Sequence, residues 1–254
     1  MKLKIYSLIG LCALASVFTG CLESQATDPY GLEGKTHGAV TPGVQTAAWA
    51  QQWWMPRHEA VLERVGQGNV DLIMVGDSIT HGWENTGKAV WDQYYADRNA
   101  VNMGFSGDQT QHVLWRLEHG EIEGISPKLA VLMIGTNNSN GNDFTAEEIA
   151  DGIKAICAEM RTKLPKMKIL ILAIFPRGEG PSPQREKNAR ASELASEIAD
   201  GKHIYFLDIN DVFLDDDGTL PREIMPDLLH PNAKGYELWA EAVEPTIKKL
   251  MGEK

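Results

Sequence analysis

Short apolar runs alternate with amphipathic stretches along most of the 254-residue chain. The apolar runs are bounded by turn-forming residues and are typical of strands buried in a sheet, whereas the stretches between them have helical spacing. The predicted strands are residues 72–75, 100–103, 129–134, 169–174 and 204–207. The predicted helices are residues 53–65, 88–97, 109–118, 146–163, 184–199 and 233–251. This alternation predicts one α/β domain, with helices on both faces of a parallel sheet.

The first predicted strand ends in a turn that presents a serine. Gly76 and Asp77 interrupt the apolar run, and Ser78 follows them, before residues that can begin a helix. Functional groups collect at the carboxyl ends of parallel strands. A serine there offers both an attacking hydroxyl and a backbone N–H to one acyl group. Gly-Asp-Ser is also a common turn composition, so this motif alone leaves an ordinary turn as the alternative.

Three further segments bring polar groups to the same edge of the predicted sheet. Gly107 follows the second strand, and its N–H is accessible because no side chain covers it. Asn137 follows the third strand and offers an amide donor that cannot lose its proton. Asp227 and His230 are three residues apart, a spacing that lets the carboxylate orient the imidazole. Together these residues indicate nucleophilic acyl transfer.

The four sequence blocks of the SGNH (GDSL) hydrolase family resemble four motifs of this chain, which are Gly76-Asp77-Ser78, Gly107, Asn137 and Asp227-x-x-His230. The motifs occur in the family's order, and the resemblance extends over about residues 53–250. It implies a three-layer α/β/α sandwich with a flavodoxin-like parallel sheet. Within the family, residues 102–138 and the run FPRGEGPSPQREKN are similar to the catalytic subunits of platelet-activating-factor acetylhydrolase.

The resemblance also implies a role for each residue of the motifs. Ser78 is expected to be the nucleophile, His230 the general base and Asp227 the acid that orients it. The N–H groups of Ser78 and Gly107 and the side chain of Asn137 are expected to form the oxyanion hole. No metal and no cofactor are expected to take part.

Two features separate the chain from close alternatives. Many family members have aspartate after the third-block asparagine, whereas this chain has Asn138, as the acetylhydrolase subgroup does. That position is not among the expected catalytic ones. The order serine, aspartate, histidine also occurs in α/β-hydrolases, but Ser78 is not within the G-x-S-x-G motif of that fold. The α/β-hydrolase fold is therefore rejected.

The N-terminus has the pattern of an export signal. Lys2 and Lys4 precede an apolar stretch that is short for a membrane span. Residues 18–21 then resemble the lipobox of bacterial lipoproteins, so residues 1–20 are predicted to be a signal peptide and Cys21 the lipidated N-terminus. An ordinary secretory signal with a chance cysteine is the alternative. Residues 21–48 are predicted to be a flexible tether and residues 49–254 the hydrolase domain. The expected location is extracytoplasmic, on a bacterial membrane, facing the periplasm or the cell surface.

Composition narrows the range of partners. The formal net charge is −11, and loss of Lys2 and Lys4 with the signal would make it more negative, which disfavours nucleic acid and anionic membrane surfaces as partners.

Of the three cysteines, Cys157 has no expected partner and lies on the apolar face of a predicted helix, so it is interpreted as a structural thiol. The acidic run at residues 215–217 lacks the spacing of a calcium loop. A homodimer is left as a possible assembly.

The expected function is hydrolysis of short-chain esters, acetyl esters above all. An extracytoplasmic lipoprotein meets acetylated glycans more readily than an ether phospholipid, so carbohydrate O-deacetylation is favoured. A phospholipid or lysophospholipid acyl esterase is the enzyme alternative. A non-catalytic, glycan-binding surface lipoprotein is the alternative of another class, although intact Ser78, Asp227 and His230 argue against it.

Overall fold

The computed structural model describes residues 28–253 and contains a five-stranded sheet that is parallel throughout. Its strands are β1 (Leu72–Gly76), β2 (Ala100–Gly104), β3 (Leu129–Met133), β4 (Lys168–Leu172) and β5 (Ile204–Leu207). Their order across the sheet is β2-β1-β3-β4-β5. This is the flavodoxin-like order, in which the chain changes direction between β1 and β3. The predicted fold class is confirmed, and all five strands lie where the apolar runs placed them.

Within residues 28–253, seven α-helices precede, connect or follow these strands. They are α1 (Trp54–Gly66), α2 (Ser78–His81), α3 (Lys88–Tyr94), α4 (Thr110–Arg116), α5 (Ala146–Lys163), α6 (Pro183–Ser196) and α7 (Ala233–Met251). The α5 helix begins where predicted because Thr145 and Glu148 form a capping box. The α4 helix is shorter than predicted: its regular turns end at Arg116, and the chain unwinds toward Gly120, where φ is +104°.

Alternating strand residues pack into two separate cores, one on each face of the sheet. On one face, Ile73, Val75 and their neighbours in β2, β3 and β4 contact α1, α4, α5 and α6. On the other face, Leu72, Met74 and their neighbours contact α7 and the aromatic residues around Trp83. Because helices cover both faces, the strands are buried nearly throughout, which explains their continuous apolar runs. The two covered faces give the three α/β/α layers.

The segment before α1 differs from the prediction. Residues 21–48 were expected to form a flexible tether, but the described part, residues 28–48, packs on the domain. The Lys35 and His37 side chains both contact the Asp151 carboxylate on α5, at 2.9 and 3.1 Å. The backbone at Ala39 lies against α5 because Gly152 has no side chain: a Cβ there would be 2.8 Å from the Ala39 carbonyl oxygen. The small residues of this segment resemble a flexible linker in the sequence, but in the structure they allow the chain to pack closely against α5.

The predictions for the extreme N-terminus concern residues before residue 28. The signal peptide at residues 1–20 and lipidation of Cys21 lie outside the described residues, and both stay predictions, as do membrane anchoring and the homodimer. Within residues 28–253, no helix is both long and apolar enough to cross a bilayer. Cys157 is fully buried in α5 as a free thiol.

Candidate active site

A tight turn between β1 and α2 presents Ser78 at the carboxyl edge of the sheet. Gly76 is required there, because a Cβ would lie 2.2 Å from Thr80 Oγ1 and 2.4 Å from the Met133 carbonyl oxygen. Asp77 then caps the short helix: its Oδ1 accepts a hydrogen bond from the Ile79 N–H at 3.0 Å. Ser78 is the first residue of α2, so its own N–H has no acceptor inside the helix. The Ser78 hydroxyl and N–H are thus both available to a substrate.

Ser78 is hydrogen-bonded to a histidine that arrives from the far end of the chain. His230 Nε2 lies 2.8 Å from Ser78 Oγ, and His230 Nδ1 lies 2.6 Å from Asp227 Oδ2. A carboxylate at Nδ1 favours the tautomer with the proton on that nitrogen, which leaves Nε2 as the acceptor for the serine hydroxyl. The predicted nucleophile, base and acid are therefore brought together in the order that proton transfer from serine requires.

The Asp227 carboxylate is held as an anion by its own loop. Its Oδ1 accepts hydrogen bonds from the N–H groups of Leu229 and His230, at 3.0 and 2.7 Å. Burial raises the pKa of Asp227, but hydrogen bonds from the His230 side chain and backbone outweigh it, and the pKa lies below its ordinary value. The loop reaches this shape with Leu228 at φ +60°, a left-handed conformation that is uncommon for leucine. Such strain persists where the surrounding contacts fix the backbone.

The two other predicted donors follow the strands on either side of β1. Gly107 lies in the loop after β2 with φ at +76°, and Asn137 lies in the loop after β3. The Asn137 amide donates one hydrogen bond to the Asp108 carbonyl at 2.9 Å, and its nitrogen carries a second hydrogen. Both residues line one cavity of about 490 Å³. The structure therefore places Gly107 and Asn137 together, at the same edge of the sheet as Ser78.

A buried ionic network fixes the Gly107 loop, and no motif in the sequence indicates it. The Asp108 carboxylate accepts hydrogen bonds from Trp54 Nε1 at 2.7 Å and Arg116 Nε at 2.9 Å. Arg116 also pairs with Glu121, and a Glu121 carboxylate oxygen lies 2.9 Å from His58 Nδ1. The Asp108, Arg116 and Glu121 side chains are all fully buried. Because Asp108 follows Gly107 and its carbonyl binds Asn137, this network positions both donors.

Arg177 also lies at this edge of the sheet, although it is not part of the four motifs. Its Nη1 donates to the Thr136 carbonyl at 3.0 Å, to Thr136 Oγ1 at 3.1 Å and to Asn140 Oδ1 at 3.1 Å. It also lines a separate cavity of about 300 Å³ beside Asp227 and Leu229. Its position just after β4, at the functional edge of the sheet, is the signal that identifies it in the sequence.

Asp77 is buried completely, and burial raises its pKa from 3.8 to about 7. Because the folded-state pKa lies above the unfolded one, folding favours the protonated carboxyl. The stability due to this group is complete below about pH 4 and is lost as the pH rises to about 7.

We expect the Asp77→Asn variant to lack this loss, because asparagine stays neutral and still caps α2. The free energy of unfolding of the wild type, relative to the variant, should fall by up to about 1.4 kcal/mol per pH unit across that window. Urea denaturation of both proteins at several pH values between 4 and 8 measures it. A difference that does not change with pH would contradict the expectation.

No group of three or more His, Cys, Asp or Glu side chains within residues 28–253 is arranged to hold a metal ion. Trp83, which lies close to Ser78 in the sequence, is fully buried in the core beside Tyr236 and Trp239.

Comparison with known proteins identifies relatives over most of the chain. A family model described as "GDSL-like Lipase/Acylhydrolase family" matches residues 74–238. The chain is 33% identical over 222 residues to platelet-activating factor acetylhydrolase IB subunit alpha2 of Homo sapiens, which covers 87% of this chain and 95% of that protein. It is 35% identical over 199 residues to the alpha1 subunit of Bos taurus, covering 78% and 84% of the two chains.

Solved structures show the same fold at lower identity. An acylhydrolase-like protein from Bacteroides fragilis superposes with a TM-score of 0.64 at 17% identity, covering 82% of this chain and 100% of that one. A catalytic mutant of an acetylxylan esterase from Geobacillus stearothermophilus superposes with a TM-score of 0.56 at 19% identity, covering 74% and 96%. At 17% and 19% identity, the likeness to these structures shows a shared fold and no more.

Proposed function

The chain belongs to the GDSL-like lipase/acylhydrolase family and is a carboxylic ester hydrolase, and on that premise we propose that it removes acetyl groups from the hydroxyls of a carbohydrate. Family membership confirms the resemblance that the four motifs indicated. The observation that carries the proposed chemistry is the hydrogen-bonded path from Ser78 through His230 to Asp227, with distances of 2.8 and 2.6 Å.

In the proposed first step, Ser78 Oγ attacks the ester carbonyl carbon while His230 Nε2 takes the hydroxyl proton. The negative charge that develops on the carbonyl oxygen is stabilised by the N–H groups of Ser78 and Gly107 and by the free N–H of Asn137. Asp227 stabilises the imidazolium that forms. The bond from the carbonyl carbon to the alcohol oxygen then breaks, the alcohol leaves with the proton from His230, and the acyl group stays on Ser78.

In the second step, water replaces the alcohol. The oxygen of the water attacks the acyl carbon while His230 Nε2 takes one of the water protons. The same three donors stabilise the second oxyanion. The bond to Ser78 Oγ breaks, Oγ regains a proton from His230, and the free carboxylic acid departs. Every proton transfer in this cycle passes through the one histidine nitrogen that faces Ser78.

Three considerations support an acetylated carbohydrate. One structural neighbour is an acetylxylan esterase, and the relatives in sequence are acetylhydrolases, so acetyl is the acyl group that both share. The predicted export signal would also carry the protein to a compartment where acetylated glycans occur. The acidic chain adds a third point, because a negative protein is repelled by anionic membrane surfaces.

A phospholipid acyl esterase is the second candidate, and a specific residue favours it. The relatives with the higher identity are named platelet-activating factor acetylhydrolases. Arg177 lines the cavity beside Asp227, and a guanidinium there can bind a phosphate. A glycan-binding protein without catalysis is disfavoured, because Ser78 and His230 are hydrogen-bonded as catalysis requires.

The test compares two substrates that carry the same acyl group, acetyl, but differ in the alcohol that leaves. We expect kcat/KM for acetylated xylo-oligosaccharides to exceed that for a 2-acetyl ether glycerophosphocholine by at least about tenfold, because a fitted polar site rejects the wrong alcohol. Acetic acid release is measured for both substrates, and p-nitrophenyl acetate, butyrate and octanoate report acyl length.

The Ser78→Ala variant is the control for each substrate. A higher kcat/KM for the 2-acetyl ether glycerophosphocholine than for acetylated xylo-oligosaccharides would contradict the carbohydrate proposal and favour the phospholipid candidate. Hydrolysis that rises toward octanoate would contradict the short-chain preference. Absence of any rate that depends on Ser78 would contradict catalysis and leave the glycan-binding alternative.

A further inference from the structure

An exposed tryptophan stands directly beside the candidate oxyanion loop. The Trp49 side chain is 57% exposed, an unusual state for so large an apolar group. Its ring touches Gly107: a Cβ on that glycine would lie 2.1 Å from Trp49 Cη2. Gly107 is therefore required not only for its left-handed backbone but also because the indole occupies the space of a side chain.

The tryptophan is held in place by the residues around it. Its ring stacks on Trp53 at 6.0 Å and 25°, and Trp53 packs in turn against His81 of α2. Trp53 Nε1 donates to the Trp49 carbonyl at 3.1 Å, and the intervening Ala50 is fully buried. An aromatic ring that is exposed on one face and supported on the other is suited to binding a ligand.

The cavity beside this ring is rich in amides. Trp49, Gly107 and Asn137 all line the space of about 490 Å³, which lies in the size range of small-molecule sites. Its other lining residues include Gln45, Gln109, Gln111 and Asn140. Gln45 and Gln109 each use one N–H for a backbone carbonyl. An amide nitrogen carries a second hydrogen and an amide oxygen a second lone pair, which suits neighbouring hydroxyls of a sugar ring.

No lysine, arginine or carboxylate is among the residues that line this cavity in the described part of the chain. His112 is the one titratable group there, and burial lowers its pKa to about 4, so it is neutral at physiological pH. The Arg116 guanidinium, whose charge also lowers the pKa of His112, is paired within the buried network. A neutral alcohol fits this lining better than a phosphate, which requires cationic partners.

We propose that Trp49 and the surrounding amides form a subsite for a pyranose ring of the substrate, with the apolar face of the sugar stacked on the exposed indole. The proposal rests on the proposed carbohydrate O-deacetylation and specifies where the leaving group binds. A sugar ring has an apolar C–H face and a rim of hydroxyls, and the cavity offers an aromatic face and a rim of amides. Gly107 and Asn137 line this cavity and are also the candidate oxyanion donors, so a sugar bound here can present its acetyl carbonyl to them.

The segment that supplies Trp49 also carries Gln45, and both precede residues 74–238, the part that matches the family model. Gln45 Nε2 donates to the Gly107 carbonyl at 3.3 Å, so the segment is attached to the oxyanion loop itself. Leaving-group preference is therefore expected to reside in residues 45–53, apart from the catalytic motifs.

The test measures a ratio of specificity constants in the full chain. For Trp49→Ala, we expect kcat/KM on acetylated xylo-oligosaccharides, divided by kcat/KM on p-nitrophenyl acetate, to fall at least about tenfold, since stacking and buried apolar area together contribute about that factor. Trp49→Phe should retain most of the ratio. Trp49→Leu keeps apolar bulk against Gly107 without an indole, and should lose the ratio as Trp49→Ala does.

Met55→Ala is the matched control, because Met55 is an exposed apolar residue of the same region, at 38% exposure. It should leave the ratio unchanged, and thermal unfolding of all variants checks their folding. A ratio equal to the wild-type value in folded Trp49→Ala or Trp49→Leu would overturn the subsite. A wild type that prefers the 2-acetyl ether phospholipid to acetylated xylo-oligosaccharides would contradict the proposed function itself. The two outcomes are distinguishable, because one is measured on the wild type and the other on the Trp49 variants.

Discussion

Replacing Ser78 or His230 by alanine is expected to lower kcat on p-nitrophenyl acetate by about 10⁴–10⁶-fold, and combining both changes should cost little more than either alone. The reason is that the two side chains act as one unit: the hydroxyl is unreactive without the nitrogen 2.8 Å away, and the nitrogen has no nucleophile to activate without the hydroxyl. Steady-state kinetics of the two single variants and the double variant measure the effect.

Ser126→Ala and His203→Ala are the matched controls. Ser126 is exposed just before β3, and His203 lies just before β5, so both lie at the amino edge of the sheet, opposite the candidate site. Neither control should change kcat appreciably. A Ser78→Ala or His230→Ala protein that keeps more than about one per cent of wild-type turnover would contradict the assigned roles.

Removing the Asn137 side chain is expected to lower kcat by about 10²–10³-fold with a smaller change in KM. Asn137 is proposed to bind the oxygen most strongly when it carries the negative charge of the tetrahedral intermediate. Its loss should therefore affect the transition state more than the bound substrate. Kinetics of Asn137→Ala on p-nitrophenyl acetate measure both constants.

The amide of Asn210 provides the comparison for this variant. It also follows a strand at the carboxyl edge, after β5, and donates to the Ile174 carbonyl at 3.1 Å, on the opposite side of the sheet from Gly107. Asn210→Ala should leave kcat unchanged, and thermal unfolding reports any loss of stability in either protein. An Asn137→Ala enzyme with a raised KM and an unaltered kcat would mean that the amide binds the ground state and the transition state equally, which contradicts its role in the oxyanion hole.

The strands and the four motifs were predictable from the sequence for one physical reason. Strands buried on both faces need continuous apolar runs, and polar residues are admitted only where a strand leaves the sheet. Gly76, Gly107 and Asn137 all follow such runs, and adjacency of β2, β1 and β3 then brings the three loops to one edge. The pairing of Asp227 with His230 was predictable because it is local.

The contacts of residues 28–48 were not predictable in the same way. Ala39 binds Thr110 through its carbonyl oxygen, and Gln45 binds the Gly107 carbonyl, so each contact joins residues that are far apart in sequence. The segment has no helical or strand periodicity and is rich in small and polar residues, as flexible linkers are. Only the complementary gap at Gly152 distinguishes it from a linker, and that gap exists only in the folded protein.

The buried ionic network escaped the motif analysis for a different reason. Charged residues are almost never fully buried unless paired, so nothing in the sequence marks Asp108, Arg116 and Glu121 as buried. They form no recognised spacing, and their burial depends on Trp54 and His58 arriving from α1. A network of this kind supports the Gly107 loop, and its members become visible only when three separate elements pack together.

Covalent labelling of the native protein with diisopropyl fluorophosphate, followed by digestion and mass spectrometry, tests the role of Ser78 most directly. We expect one adduct per chain, located on Ser78, and a much slower reaction in His230→Ala because the hydroxyl is no longer activated. An adduct on a different residue, or equal labelling rates in the wild type and His230→Ala, would contradict the assignment of Ser78 as the activated nucleophile.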